Sequence, residues 1–112
     1  MLLGPDSLVG NVVTNTDGAS TQILPAPGAG LKNYVTEIYI INTSASAVTV
    51  NIQNGAGGTT RWTVSIPANS ASPPISFLHG LGGFGTNTGV FFQASSAVSS
   101  LIVNVNGFKR PV

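Results

Sequence analysis

The sequence predicts an all-β protein, a single jelly-roll-like β-sandwich of seven or eight short strands. Three observations predict it. Turn formers dominate: 12 Ser, 11 Thr, 10 Asn, 14 Gly and 7 Pro stand against one Glu and two Lys. Ser, Thr and Asn bond to nearby backbone and favour turns over helices. Val and Ile total 20, and β-branched side chains fit a pleated, half-buried surface. Third, apolar and polar residues alternate in short runs separated by turn signals, the pattern of a sandwich or jelly roll.

Residues 8–13 form an apolar patch broken by Gly10, suited to an edge strand or to an arm that orders on a neighbouring chain. Residues 1–19 are therefore set apart from a sandwich domain over 20–112. Asn15-Thr16-Asp17-Gly18 is a turn. Residues 20–24 are a short strand, and Pro25-Ala26-Pro27-Gly28-Ala29-Gly30 is a loop. Residues 33–42 are the strongest strand, with Tyr34, Ile38 and Ile40 expected inward and Val35, Tyr39 and Ile41 outward. Residues 47–53 alternate, with Val48, Val50 and Ile52 on one face. Residues 60–66 repeat the pattern with Trp62, Val64 and Ile66. These three strands read as a meander. Residues 75–78 are a short strand opened by Pro74. A ten-residue loop with five glycines follows over 80–89, and residues 90–95 and 101–108 close the domain.

Composition excludes several functions. Without cysteine there is no disulfide framework, thiolate metal site or cysteine nucleophile. Charged residues make up 6% of the chain, where about 25% is ordinary. A net charge of +1 provides no basic field for nucleic acid. No apolar run is long enough to span a bilayer, and Met1-Leu2-Leu3-Gly4-Pro5 lacks the features of a signal peptide. Neither a nucleic-acid nor a membrane partner is expected.

The chemical motifs are weak. Gly80-Leu81-Gly82-Gly83-Phe84-Gly85 fits G-x-G-x-x-G, but a dinucleotide site needs a helix there, and a turn and strand follow. His79 is the single histidine, the acids are Asp6, Asp17 and Glu37, and G-x-S-x-G is absent. No catalytic residue, cofactor site or metal site is assigned, and the protein is not expected to be an enzyme. Without a signal peptide, Asn42-Thr43-Ser44 is expected to match the glycosylation pattern by chance; Lys109-Arg110 is read as a solvated tail, the alternative being that it steers an acidic partner.

Apolar residues out of phase with the core are more informative. Tyr39 and Ile41 point away from it, as does one of Phe91 and Phe92; Phe91 is taken as the outward one. Phe84, with Leu81, is a large apolar group on a glycine-rich loop, suited to a partner's pocket. Leu8, Val9 and Val12 are too apolar for an unattached tail. Several such residues with little charge indicate a buried protein interface. The expected interface is Leu8, Val9, Val12, Tyr39, Ile41, Leu81, Phe84 and Phe91, in a homo-oligomer with closed symmetry, a trimer.

Ile23-Leu24-Pro25-Ala26-Pro27-Gly28-Ala29-Gly30 leading into a long strand, then short alternating strands and a Gly-rich loop, resembles the small jelly-roll cement, or head-decoration, proteins of tailed bacteriophages. The resemblance covers roughly residues 23–108. It implies a non-enzymatic virion protein on the outer surface of a phage head, binding the major capsid protein and stabilising the assembled shell. Related sequences often carry basic residues after the Gly-Ala-Gly turn. Here only Lys32 follows it, so attachment by apolar, shape-complementary contacts is expected rather than attachment by charge. The alternative is a tail or fibre module binding host glycan, which would use exposed aromatics such as Trp62 or Tyr39.

Overall fold

In the computed structural model, which describes residues 8–98 and 100–112, the described residues form strands and turns and no helix. Residues 1–7 of the expected arm lie outside the described residues. The strands are β1 (Leu8–Asn15), β2 (Thr21–Leu24), β3 (Leu31–Asn42), β4 (Val48–Asn54), β5 (Thr60–Ile66), the two-residue β6 (Ser70–Ala71), β7 (Ile75–Leu81), β8 (Val90–Ala94) and β9 (Leu101–Pro111). One sheet runs β1-β9-β3 and continues to β6 and β7, both paired with β3; the other runs β2-β8-β4-β5. Every ladder is antiparallel. Apart from β6, these are eight strands in the order of a jelly roll.

The expected meander does not form. β4 and β5 are a hairpin, but β3 belongs to the opposite sheet. The chain crosses at a turn built on Asn42, whose side chain is 0% exposed. Its Nδ2 donates to Ser46 O at 2.8 Å and Pro67 O at 3.2 Å, while Oδ1 accepts from Ser44 N at 3.0 Å and Ser44 Oγ at 2.6 Å. Buried polar groups persist when paired this way. The Asn42 amide is thus buried and bonded on both sides, and the folded chain does not present it to solvent. A second asparagine organises the β1–β2 turn: Asn15 Nδ2 donates to Asp17 Oδ1 at 2.9 Å and Thr21 Oγ1 at 2.8 Å. The Ala19 N–H and Asn15 Nδ2 hold the Asp17 carboxyl below the usual carboxylate range.

Strand β3 reverses part of the expected facing. Thr36 is an extra residue: Val35 pairs with Gly107 and Glu37 with Asn106, so the register shifts between them. This β-bulge places two residues against one and changes the phase of the alternation. Ile38 and Ile40 are buried as expected, but so is Val35, and Tyr34 faces outward, half-buried. Gly107 sits opposite the bulge, where a Cβ would collide with the Tyr34 carbonyl.

The core between the sheets includes Ile23, Leu24, Val35, Ile38, Ile40, Val50, Ile52, Ile66, Val90, Phe92, Leu101, Val103 and Val105. Trp62 and Val64 point inward in phase but are only half-buried, because β5 is an edge strand. Trp62 meets Phe77 of β7 edge to face, ring centroids 5.8 Å apart, across the open side of the sandwich. β7 runs on to Leu81, so the expected ten-residue loop is shorter. Phe84 on that loop is 1% exposed and joins the core. It is therefore not an exposed anchor for a partner's pocket. The reason is that the loop is held down by other segments: Gly85 N–H donates to Asn54 Oδ1 at 2.9 Å, Asn87 N–H to Leu31 O at 2.7 Å, and Gly55 N–H to Gly89 O at 3.1 Å.

Two predictions follow from this packing. Phe84→Ala should destabilise the domain by about 3–5 kcal/mol in urea unfolding, and Trp62→Ala by less; a Phe84→Ala loss below about 1 kcal/mol would remove Phe84 from the core. The Asp17 turn contributes stability while the carboxyl is ionised, and loses it only as pH falls through the lowered value. An NMR titration should place the Asp17 midpoint below the ordinary 3.8; a midpoint at or above it would contradict the hydrogen-bonded turn.

Candidate interaction surface

Strand alternation decides what each sheet shows to solvent. On the outer face of the β1-β9-β3 sheet, cross-strand rows follow from the register. Thr14, Ile102, Ile41 and Ala71 form one row. Val12, Asn104 and Tyr39 form the next, Gly10, Asn106 and Glu37 a third, and Leu8, Phe108 and Tyr34 a fourth. Leu8 is 64% and Val12 59% exposed, while Tyr39, Ile41, Ile102, Phe108 and Tyr34 are half-buried. Between the first two rows the face carries no charge. Glu37 lies at the bulge, and Lys32 and Arg110 lie at one end.

The expected interface residues therefore separate. Leu8, Val12, Tyr39 and Ile41 share this face, with Leu8 separated from the others by the row that carries Glu37. Val9 does not join them: it points inward and packs against the core. The described part of the expected arm, β1, is an edge strand of its own sheet, paired with β9 from Leu8↔Phe108 to Asn15↔Leu101 without a register shift. Leu81 also packs against the core, and Phe84 is within it. Phe91 is on the opposite face, because its neighbour Phe92 takes the inward position.

That opposite face is polar but almost uncharged. Gln53 Nε2 donates to Gln93 Oε1 at 3.0 Å, Ser20 Oγ donates to Gln53 Oε1 at 2.7 Å, and the Thr49 and Ser65 hydroxyls are 3.1 Å apart. A cleft of about 330 Å³ nearby is lined by Ala47, Val48, Thr49, Ser65, Ile66, Pro67 and Ser95 and contains no titratable group.

Sequence reading missed three contributors. Leu78 is 91% exposed. It lies where β7 leaves its ladder, since Ser76 pairs with Glu37 but the next β7 partner of β3 is Leu81, opposite Val35. Tyr34 and Phe108 were missed because the Thr36 bulge brings them together: their rings stack at 5.1 Å and 12°. Gly80, at φ 83°, lets β7 close over them; a Cβ there would lie 3.1 Å from Tyr34 Cβ and 3.2 Å from Phe108 Cε1.

No protein-family model matches the sequence, and no curated protein does. Solved structures share the fold at low identity. A Bacillus endospore appendage, from a novel family of disulfide-linked pili, aligns with a TM-score of 0.53 and 14% identity, over 95% of this chain and 89% of that one. PirA aligns at 0.52 and 13%, over 88% and 92%. A chain of the cyanophage Pam1 capsid asymmetric unit aligns at 0.50 and 18%, over 90% and 82%. At such identities the likeness is one of fold.

The exposed apolar side chains can be separated from the folding core by mutation. Leu78→Ser and Val12→Ser should each change unfolding free energy by less than about 0.5 kcal/mol. Gly80→Val should cost more, about 1–3 kcal/mol, through positive φ and overpacking. Urea denaturation of the three variants checks the contrast; a large loss at Leu78 would place it in the core.

Proposed function

We propose that this protein is a structural component of a virus particle, a decoration protein seated on the outer surface of a phage head, and that it performs no catalysis. The observation that carries the reading is the outer face of the β1-β9-β3 sheet, where Val12, Tyr39, Ile41 and Ile102 occupy two neighbouring uncharged rows and Leu8 lies beyond the row of Glu37. Burying such a surface against another protein is favourable at roughly 25 cal/mol per Å², and a standard specific interface removes about 1,600 Å² in total. The jelly-roll fold, shared with a chain of a cyanophage capsid, agrees with this reading.

The mechanism is mass action. A protein that binds an assembled shell but not its separate subunits lowers the free energy of the shell. Repetition over a symmetric lattice, and self-association into a trimer, multiply that effect without new kinds of contact. The sister chains and the major capsid protein are the proposed partners. A glycan-binding fibre module is less well supported, since Trp62, an aromatic suited to stacking on a sugar, is engaged edge to face by Phe77.

The test is to mix the purified protein with phage heads lacking it and to image them by electron cryo-microscopy. Ordered density on the outer head surface is expected, with Val12→Lys/Ile41→Lys reducing occupancy at least about tenfold while the unfolding midpoint is retained. Density on a tail fibre, or full occupancy by the double variant, would overturn the reading.

A further inference from the structure

The few charges among the described residues are sorted by the fold. Lys32 is the second residue of β3, Arg61 the second of β5, and Lys109 and Arg110 lie near the end of β9. Because β3 and β9 are antiparallel, the start of one meets the end of the other, and Lys32 is the register partner of Arg110. Arg61 reaches the same end: its Nε donates to Gly82 O at 3.3 Å, and a Cβ on Gly82 would lie 3.1 Å from Tyr34 Cε2. All four cations thus gather at one end of the sandwich. Asp17 is in the turn at the opposite end, and Glu37 is at the bulge.

Two features single out this end. Like charges directly across an antiparallel pair are destabilising, yet Lys32 is the cross-strand partner of Arg110. The Arg110 guanidinium is also held in place. Its Cζ lies 5.0 Å from the Phe108 ring centroid and 5.5 Å from that of Tyr34. Stacking on two aromatic rings contributes cation–π attraction and limits the side chain's freedom. Arg110 itself remains exposed. A fork ordered in advance loses less entropy when it binds a carboxylate by two parallel hydrogen bonds. Arg and Tyr are also enriched among residues that dominate interface energy.

We propose that the cationic end of the outer face, Arg110 stacked over Tyr34 and Phe108 with Lys32 opposite, is a docking site for the carboxylates of an acidic protein surface. The partner is protein rather than nucleic acid, because a net charge of +1 and a pI near 8.2 fall short of the basic field that a phosphate backbone requires. The site adds a charge-directed contact to the apolar one, and it rests on the virion reading only for where that acidic surface is found. Charge contacts at the rim of an apolar interface direct the encounter and fix orientation.

The experiment measures fluorescence anisotropy of a labelled oligoglutamate peptide with the full chain at low salt. Binding that weakens as salt rises is expected. Arg110→Gln should weaken it about tenfold or more, and Arg110→Lys, which keeps the charge but loses the fork, should weaken it to an intermediate degree. Thermal unfolding checks each variant, and Lys32→Gln provides a second route if an Arg110 variant is unstable. No binding, no effect of Arg110→Gln and Lys32→Gln, or tighter binding of a duplex DNA oligomer would each overturn the proposal. The probe contains no phage component. Lost oligoglutamate binding with intact head decoration would remove this site alone, and the reverse would remove the virion reading alone.

Discussion

The ladder between β3 and β9 is the constraint on which the rest of the molecule depends. It runs from Leu31↔Pro111 to Asn42↔Leu101. β9 then carries β1 on its other side, and β3 carries β6 and β7. The inward residues of the two strands, Val35, Ile38 and Ile40 with Leu101, Val103 and Val105, supply much of one wall of the core. Their outward residues, Tyr34, Tyr39 and Ile41 with Ile102 and Phe108, supply most of the exposed apolar face. Core and candidate interface are the two sides of one ladder, so the facing of β3 fixes both together.

Much of the fold was legible because period-2 alternation is a local signal. Val48, Val50 and Ile52 in β4, and Leu101, Val103 and Val105 in β9, are buried as the sequence indicates. Trp62 and Val64 have the right phase but less burial, since nothing local tells an edge strand from a central one. The facing of β3 was not legible throughout. A run of Tyr, Val, Thr, Glu, Ile, Tyr and Ile alternates equally well with or without an extra residue, and only its partner strand, with Gly107 opposite, shows that Thr36 is extra. The crossing at Asn42 was likewise hidden, because a turn sequence does not say whether the next strand pairs with the last or begins the other sheet.

The candidate site shows the same division. Leu8, Val12, Tyr39 and Ile41 were identifiable from out-of-phase apolarity. Phe84 was misread because glycine content suggested an unsupported loop, whereas hydrogen bonds with Leu31 and with the Asn54–Gly55 turn hold the loop down onto the core. The aromatic pair and its arginine were hidden because they depend on register. Lys32 and Arg110 are far apart in sequence, and Lys109-Arg110 looks like a polar tail until β9 is seen to continue to Pro111.

The ladders also have a bearing on kinetics. Apart from the β4–β5 hairpin, the main strand pairs join distant stretches: β1 with β9, β2 with β8, β3 with β9 and β4 with β8. Pairing of this kind pays loop-closure entropy before any contact rewards it, and all-β domains of such topology fold in milliseconds to seconds. During that interval uncharged strands such as Leu8–Asn15 and Val48–Asn54 lie open to other copies with few charged residues beside them to oppose mispairing. The same scarcity of charge that suits the finished surface to burial against protein leaves the nascent chain poorly guarded, so its yield of native molecules should fall as the concentration of refolding chains rises.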